Sequence, residues 1–459
     1  MEFEPFHHLP LSADSSWLDR TAIIHDLGEW SWRQVHTCAR ETADSLSAAE
    51  AVCNLATTRL GFLVTWLAAL RSGRLQVLPA SRGRHDLELA LNGVQAALTV
   101  AESPVAHLPQ GNAAMCVPVL KNTTRKWANE ALQWNPDASP VRVRLFTSGS
   151  TGNPEPQDKT LGHLVEGARA LGARIEETLP IGLNSLSRIV CSVPQQHMFG
   201  LETSVMLSLV HGIPVREGRP LLPEDVRALL GEQHDAAWFT TPLHLRAMVR
   251  AGAALQGCRI AVSSTMTLDT VLAAQSESLL GCPVLEVYGS SETGALATRR
   301  TALTRQWTPL QGVRLYPKDG QTLAEGSHFA SPVTLGDRIA INAQGGFELL
   351  GRRDDIVKIA GRRTSFSALN VLLQSMPDLE DGVFFKSEGR DGEARLALIH
   401  SGPLSRTNAI AWLRDRIDPA FVPRTVIRVE KLPRNEVGKV PKAALESIYA
   451  EWSKSRGKS

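Results

Sequence analysis

The apolar positions of this 459-residue chain fall into short blocks, and from residue 141 onward the blocks alternate in kind. Runs rich in Val, Ile, Ala and Phe at Val141–Phe146, Arg188–Val193, Ala237–Thr240, Arg259–Ser263 and Val284–Val287 read as strands. Between them, Thr160–Thr178, Glu202–Val210, Pro223–Glu232, Leu243–Ala251 and Leu268–Leu280 read as helices. Pro223 followed by Glu224 and Asp225 suits a first helical turn, where proline's missing N–H is no loss and acidic side chains meet the positive end of the helix dipole. Strands alternating with helices imply βαβ units and parallel sheets covered on both faces. Ligands of such sheets bind at the carboxyl ends of strands. The segments 147–152, His197, Ser263–Thr267 and Tyr288–Glu292 all follow a strand, so they could converge on one crevice.

Upstream of residue 141 the pattern is less telling. Trp30–Val35 reads as a short strand entering a helix, Leu60–Leu70 as a core helix, Leu75–Pro79 as a strand, Asp86–Val94 as a helix and Ala97–Val100 as a strand. No candidate chemistry stands out there. Beyond residue 300, Ile339–Ile341, a Gly345-Gly346 turn and Phe347–Leu350 form a hairpin signal. The charged stretch Gly351-Arg352-Arg353-Asp354-Asp355 then marks a boundary or hinge. A small α/β unit follows, with helices at Phe366–Met376 and Ala409–Ile417 and strands at Gly382–Phe385, Ala394–Ile399 and Val426–Val429. The expected fold is α/β. A large N-terminal domain, 1–353, would hold parallel-rich sheets covered by helices, and a small α/β C-terminal domain would span 354–459, beyond the charged boundary or hinge.

Composition narrows the classes. Hydrophobic residues at 43%, charged residues at 21% and a net charge of +2 suit a soluble globular protein and give no reason to expect nucleic acid or membrane as partner. The apolar run Leu60–Leu70 is too short to span a bilayer. Cysteines at 38, 53, 116, 191, 258 and 282 show no CxxC spacing, so neither a zinc site nor a disulfide framework is expected. Reduced thiols and an acidic start, Met1-Glu2-Phe3-Glu4, without an apolar signal core, point to a cytoplasmic protein.

The chemistry concentrates first in Phe146-Thr147-Ser148-Gly149-Ser150-Thr151-Gly152-Asn153-Pro154. Gly149 and Gly152 let the backbone turn, and Thr147, Ser148, Ser150 and Thr151 offer hydroxyls and amides, as a loop that wraps a polyphosphate requires. It is not a Walker A loop, because the only comparable Gly438-Lys439 is followed by Val440 rather than Ser or Thr. A Ser/Gly-rich surface loop is the bland alternative.

Taken with four further motifs in order, this loop resembles the adenylate-forming superfamily: acyl- and aryl-CoA synthetases, peptide-synthetase adenylation domains and luciferases. The motifs are Thr147 to Pro154, Tyr288-Gly289-Ser290-Ser291-Glu292, Gly336-Asp337, Gly351 to Asp355, and Leu432-Pro433-Arg434-Asn435-Glu436-Val437-Gly438-Lys439. The resemblance runs from about residue 140 to the end. It implies ATP and Mg²⁺ as cofactors. Thr147, Ser148, Gly149, Ser150, Thr151 and Gly152 would hold the β- and γ-phosphates. Tyr288 would stack on adenine, beside Gly289 and Ser263, and Ser291 would bond the α-phosphate. Glu292 would hold Mg²⁺, and Asp337 and Arg352 would grip the ribose. Lys439 would neutralise the charge that builds as a carboxylate attacks the α-phosphorus. Asp354 matches the family's hinge, Gly361 the path of the incoming thiol, and Arg363 a candidate AMP contact. Alone, Tyr288 would be read as a core tyrosine, Glu292 as a solvated charge, Asp337 as a turn residue and Lys439 as a surface lysine.

Two departures bear on the site. The family loop continues Pro-Lys-Gly, whereas here Pro154 is followed by Glu155-Pro156-Gln157-Asp158-Lys159, so the phosphate-loop lysine is displaced to Lys159 or absent. The region before the loop is also short for the family. Gln195-Gln196-His197-Met198-Phe199-Gly200-Leu201-Glu202 resembles the acyl-pocket segment, with His197 at the carboxylate end. Met198 stands where amino-acid-activating members carry Asp, which disfavours an α-amino acid. Met198, Phe199, Gly200, Met266 and Gly289 would line an apolar pocket that suits an aryl or an alkyl acid equally.

This short form looks most like the stand-alone ligases of aryl-polyene pigment pathways, which implies a hydroxybenzoate-like acid. The thiol would come from CoA or from the phosphopantetheine of an acyl carrier protein, and charge does not decide between them. The expected function is an AMP-forming acid–thiol ligase. A medium- or long-chain fatty acyl ligase is the alternative within the class, and a non-catalytic acyl or nucleotide binder is the alternative outside it.

Overall fold

Nine strands line up in one sheet in the spatial order Thr308–Pro309, Gly294–Arg299, Val284–Ser290, Cys258–Ser263, Ala236–Thr240, Arg188–Cys191, Val215–Arg216, Thr21–His25 and Gly28–Ser31. The six from Val284–Ser290 to Thr21–His25 run parallel, and antiparallel strands close both ends. The computed structural model describes residues 17–459 apart from 27, 47–48, 95–96, 102–112, 117–141, 149–153, 180, 232–234, 353–355, 360–361, 374, 389–393, 436–437 and 457–459. Parallel strands buried on both faces need near-continuous apolar side chains. Ala236–Thr240 meets that need, with all five residues buried.

A second sheet has six strands in the order Ala113–Cys116, Ala97–Ala101, Ala51–Asn54, Leu75–Leu78, Arg142–Ser148 and Pro154–Thr160. Its first five strands are parallel, and the last folds back antiparallel, pairing Thr147 with Glu155 and Ser148 with Pro154. Sequence pattern leaves 154–159 as loop, and the structure makes Pro154–Thr160 an edge strand. Two prolines cannot donate to a ladder, so such a strand is tolerated only at an edge. Helices start where hydroxyls can cap them: Ser31 opens Trp32–Ser45, Thr58 opens Arg59–Arg71 and Thr160 opens Leu161–Thr178. The helix expected over Glu202–Val210 starts earlier, at Met198, and its middle, Leu201–Met206, is wound as a π-helix.

Two compact units divide the chain: Met1–Arg314 with Glu325–Val333, and Leu315–Ala324 with Thr334–Ser459. Both sheets above belong to the first. The second contains the antiparallel pair Asp337–Ile341 and Phe347–Arg352, and the pair Ile356–Ile359 and Arg362–Ser365. Its three-stranded sheet joins Asp381–Glu388, Ala394–Ser401 and Thr425–Arg428. Phe366–Leu373 and Arg406–Arg414 add helices, and Leu373, Phe384, Leu398 and Leu413 share a core there. The α/β class expected from the sequence is the class observed. The C-terminal helix Lys442–Arg456 is an element the apolar pattern did not mark.

Candidate active site

Three of the four sequence-marked segments leave the nine-stranded sheet along one edge. Phe239 pairs with Cys191, Thr240 with Ser263, and Ser263 with Glu286, so these parallel strands end together. From that edge emerge the segments bearing His197, Ser263 to Met266, and Tyr288 to Glu292. Strand Arg188–Cys191 is where the sheet order switches direction, with Ala236–Thr240 on one side and Val215–Arg216 on the other. A crevice at such a switch point is where α/β sheets bind ligands. Ser263 and Thr240 place buried hydroxyls there, and neither oxygen has a hydrogen-bond partner among the described residues. Thr265 takes a left-handed φ of 75°, and Ser264 Oγ donates to the Val287 carbonyl at 3.0 Å, fixing the segment that leads to the half-buried Met266.

The next strand carries the turn 290–293. At Gly289 a Cβ would fall 2.1 Å from the Gly294 carbonyl oxygen, so only glycine lets the two strands approach this closely. Ser290 and Thr293 exchange bonds across the turn, Ser290 N to Thr293 Oγ1 at 3.2 Å and Thr293 N to Ser290 Oγ at 3.4 Å. Tyr288 is half-buried, its ring 5.5 Å from Trp307, over which Arg299 lies at 4.3 Å. Ser291 is half-buried and Glu292 is exposed.

His197 is the N-cap of the helix that begins at Met198, and its Nδ1 accepts from Phe199 N at 3.3 Å. In the neutral ring this leaves the proton on Nε2. Met198 and Phe199 are buried, and the Phe199 ring meets Phe239 edge-on at 6.3 Å. Gly200 is required by contact, because a Cβ there would lie 2.0 Å from the Pro194 carbonyl oxygen.

Beneath the turn lies a group of buried ionisable side chains. Lys159, 4% exposed, donates its Nζ to the Glu292 backbone carbonyl. Glu202, 3% exposed, accepts from Ala295 N at 3.0 Å, and burial pushes its pKa up to about 7. His328 Nε2 donates to the Ala295 carbonyl at 2.9 Å, and burial brings its pKa down to about 4. Burial also lowers the Lys159 pKa, while the nearby Glu202 and Glu292 carboxylates act to raise it. The sequence marked Lys159 only as a displaced phosphate-loop lysine and gave no signal for Glu202 or His328 as members of a cluster.

Arg59 also escaped the sequence reading. Its guanidinium is buried and donates to the Cys191 carbonyl at 2.6 Å, the Val193 carbonyl at 3.1 Å, Gln195 Oε1 at 3.0 Å and Ser204 Oγ at 2.8 Å. Gln195 Nε2 in turn donates to the carbonyls of Ala56 and Thr57. The segment leading to His197 is thus bolted to the start of helix Arg59–Arg71.

In the second unit, Asp337 and Arg352 are Cα partners across their antiparallel pair. Lys439 is exposed, after Gly438 at φ 82°, and its backbone N donates to Asn435 Oδ1 at 2.8 Å. Arg434 holds this loop by a two-pronged ion pair to Asp381 and by a bond to the Gly438 carbonyl. Arg363 is exposed and stands opposite Lys358. Gly149, Ser150, Thr151, Gly152, Asp354 and Gly361 lie outside the described residues. Thr147 and Ser148 end the strand that enters the loop.

No cluster of three or more His, Cys, Asp or Glu able to hold a metal occurs among the described residues. Glu292 exposes a carboxylate, the kind of hard oxygen donor that Mg²⁺ takes.

Residues 12–324 match the family described as AMP-binding enzyme. The 4-coumarate–CoA ligase of Cereibacter sphaeroides is 26% identical over 243 residues, 52% of this chain and 56% of that protein. The 3-hydroxybenzoate–CoA/4-hydroxybenzoate–CoA ligase of Thauera aromatica is 26% identical over 364 residues, 70% of this chain and 68% of that protein. Among solved structures, the O-succinylbenzoate coenzyme A synthetase of Bacillus subtilis in complex with AMP superposes with a TM-score of 0.78 at 17% identity, over 95% of that chain and 93% of this one, a likeness of fold. With most of its first unit matched, this chain belongs to the AMP-binding enzyme family, within the adenylate-forming superfamily.

Proposed function

We propose that this chain is an ATP-dependent, AMP-forming acid–thiol ligase that activates a small aromatic carboxylic acid. A carboxylate oxygen attacks the α-phosphorus of ATP and pyrophosphate leaves, giving an acyl-adenylate. A thiol sulfur then attacks the acyl carbon and AMP leaves, giving a thioester. The observation that carries the reading is the shared strand edge from which His197, Ser263 and the Tyr288–Glu292 turn emerge, in a chain of this family.

In this reading Tyr288 offers the adenine a ring face, Ser291 a hydroxyl for the α-phosphate, and Glu292 a carboxylate oxygen for Mg²⁺. The cation would supply charge neutralisation at the phosphates. Asp337 and Arg352, held opposite each other, bind the ribose, and Lys439 offsets the charge developing at the α-phosphorus. The acid sits against Met198 and Phe199. The aromatic preference draws support from the named substrates of the Cereibacter and Thauera relatives. The acceptor thiol is CoA or a carrier-protein phosphopantetheine, and the names of those relatives favour CoA.

The test is pyrophosphate release, with hydroxylamine trapping the adenylate, across benzoates, cinnamates and straight-chain acids. A preference for one hydroxybenzoate or cinnamate is the expected result. Turnover with alkyl acids alone would move the enzyme to fatty acids, and no turnover with ATP binding intact would make it a non-catalytic binder. Met198→Ala should raise KM for the aromatic acid and leave that for ATP in place. Equal effects on both would remove Met198 from the pocket.

A further inference from the structure

Lys159 lies on the strand Pro154–Thr160, which pairs with the strand that enters the phosphate loop. Alternation along that strand sends Asp158 outward, into an ion pair with Arg144 at 2.7 Å, and Lys159 inward. Thr160 caps the following helix through His163 N at 3.1 Å, which fixes the strand's end and so the direction of the lysine stem. The ammonium then crosses to the other sheet and donates to the backbone carbonyl of Glu292. Three residues further on, the carboxylate of Glu202 accepts from Ala295 N, and His328 donates to the Ala295 carbonyl. The turn and the start of the strand after it are therefore held from the buried side by side chains from three places in the chain, while the Glu292 side chain stays exposed.

We infer that Lys159 is a positioning residue for Glu292: its buried ammonium fixes the carbonyl of that residue and so presets the direction in which the Glu292 carboxylate is presented. The inference rests on the reading of Glu292 as the Mg²⁺ ligand. It gives the displaced lysine a role different from that of a phosphate-loop lysine, since a group 4% exposed and bonded inward to a carbonyl is turned away from a phosphate in solvent. A buried ammonium is costly unless hydrogen-bonded and near opposite charge. Here the carbonyl supplies the bond, and Glu202 lies near enough for its charge to act on the lysine. The close packing of Glu202 supports a built arrangement. A Cβ on Gly294 would fall 2.4 Å from Glu202 Oε1, and one on Gly167 would fall 3.5 Å from it.

The experiment compares nucleotide binding by calorimetry, with Mg²⁺ and with EDTA, for the intact chain and for Lys159→Met and Lys159→Gln. Supporting groups behind a metal ligand typically change metal affinity about 10- to 100-fold. Lys159→Met is therefore expected to weaken Mg²⁺-dependent ATP binding by about 10-fold. It should leave metal-free ATP binding within about twofold, as expected when only the metal ligand is disturbed. Lys159→Gln, which keeps an N–H donor, should fall between, and it serves as the readout if the methionine variant does not fold. An equal loss with and without Mg²⁺ would make Lys159 a phosphate contact and overturn the proposal. Unchanged binding in both variants would overturn it as well. If the unsubstituted chain bound no ATP in either buffer, the ligase reading itself would fail, an outcome separate from any result with the variants.

Discussion

Arg434 grips both carboxylate oxygens of Asp381, at 2.7 and 2.6 Å, five residues before Lys439. A two-pronged guanidinium–carboxylate pair fixes orientation as well as distance. Both partners are largely shielded, with side chains 17% and 22% exposed. The pair anchors the loop to the sheet strand Asp381–Glu388, while the lysine at its tip stays exposed. Lys439→Ala should then cut the rate of adenylate formation by about 100-fold or more, the scale of losing one preorganised electrostatic group. Arg434→Met should lower kcat by about 10-fold through misplacement of the same lysine. Pyrophosphate release at saturating ATP measures both. An Arg434→Met rate equal to the unsubstituted rate would show that the anchor does not reach Lys439.

The register match of Asp337 with Arg352 carries a second expectation. If both bind the ribose, each single variant, Asp337→Asn and Arg352→Gln, should raise KM for ATP by about 10-fold, roughly the loss of one charge-assisted hydrogen bond. Residues that share one binding partner couple, so the double variant should fall short of the product of the singles. Full multiplicativity in KM would mean that the two act on different parts of the nucleotide.

Much of the fold was legible in the sequence. Four neighbouring strands of the nine-stranded sheet, Arg188–Cys191, Ala236–Thr240, Cys258–Ser263 and Val284–Ser290, announce themselves because burial on both faces demands apolar runs, as at Ala236–Thr240. The turn at Tyr288–Glu292 and the loop at Gly438-Lys439 are short motifs whose chemistry is local. The strand Pro154–Thr160 was not legible, because it is polar and carries two prolines that only its edge position excuses. Arg59 was not legible either. Beside an apolar helix it reads as a flanking charge, and its partners lie 132 to 145 residues away, where no local pattern reports them. The same holds for Glu202, whose burial is set by Gly167 and Gly294 from other elements.

Arg59 lends itself to a stability test. Replacing it by methionine keeps a long apolar stem but strands four buried acceptors, at Cys191, Val193, Gln195 and Ser204. The expected loss is about 3 kcal/mol of unfolding free energy. Because those acceptors hold the segment before His197, KM for the acid should rise more than KM for ATP. Denaturant unfolding and paired KM measurements decide this, and an unfolding midpoint matching that of the unsubstituted chain would rule out Arg59 as the anchor.

Two histidines, the buried His328 and the half-buried His244, set a pH dependence of stability. Burial pushes both His244, whose Nδ1 pairs with Thr241 Oγ1 at 3.0 Å, and His328 down to about 4, from an ordinary value of 6.5. The folded state thus takes up these protons less readily than the unfolded one. Their stabilising contribution is complete above about pH 6.5 and is lost as the pH falls toward 4, by about 1 kcal/mol per pH unit for each ring. Glu202 works in the opposite direction. Raised to about 7 from 4.5, it favours folding at low pH and loses that contribution as the pH rises through 7. A single profile mixes these signs, so the informative quantity is a difference. His244→Gln removes one titrating ring, and its unfolding free energy should fall less steeply between pH 6.5 and 4.5 than that of the unsubstituted chain, by about 1 kcal/mol per unit. Parallel profiles for the two proteins would mean that His244 takes up its proton in the fold as easily as in the open chain.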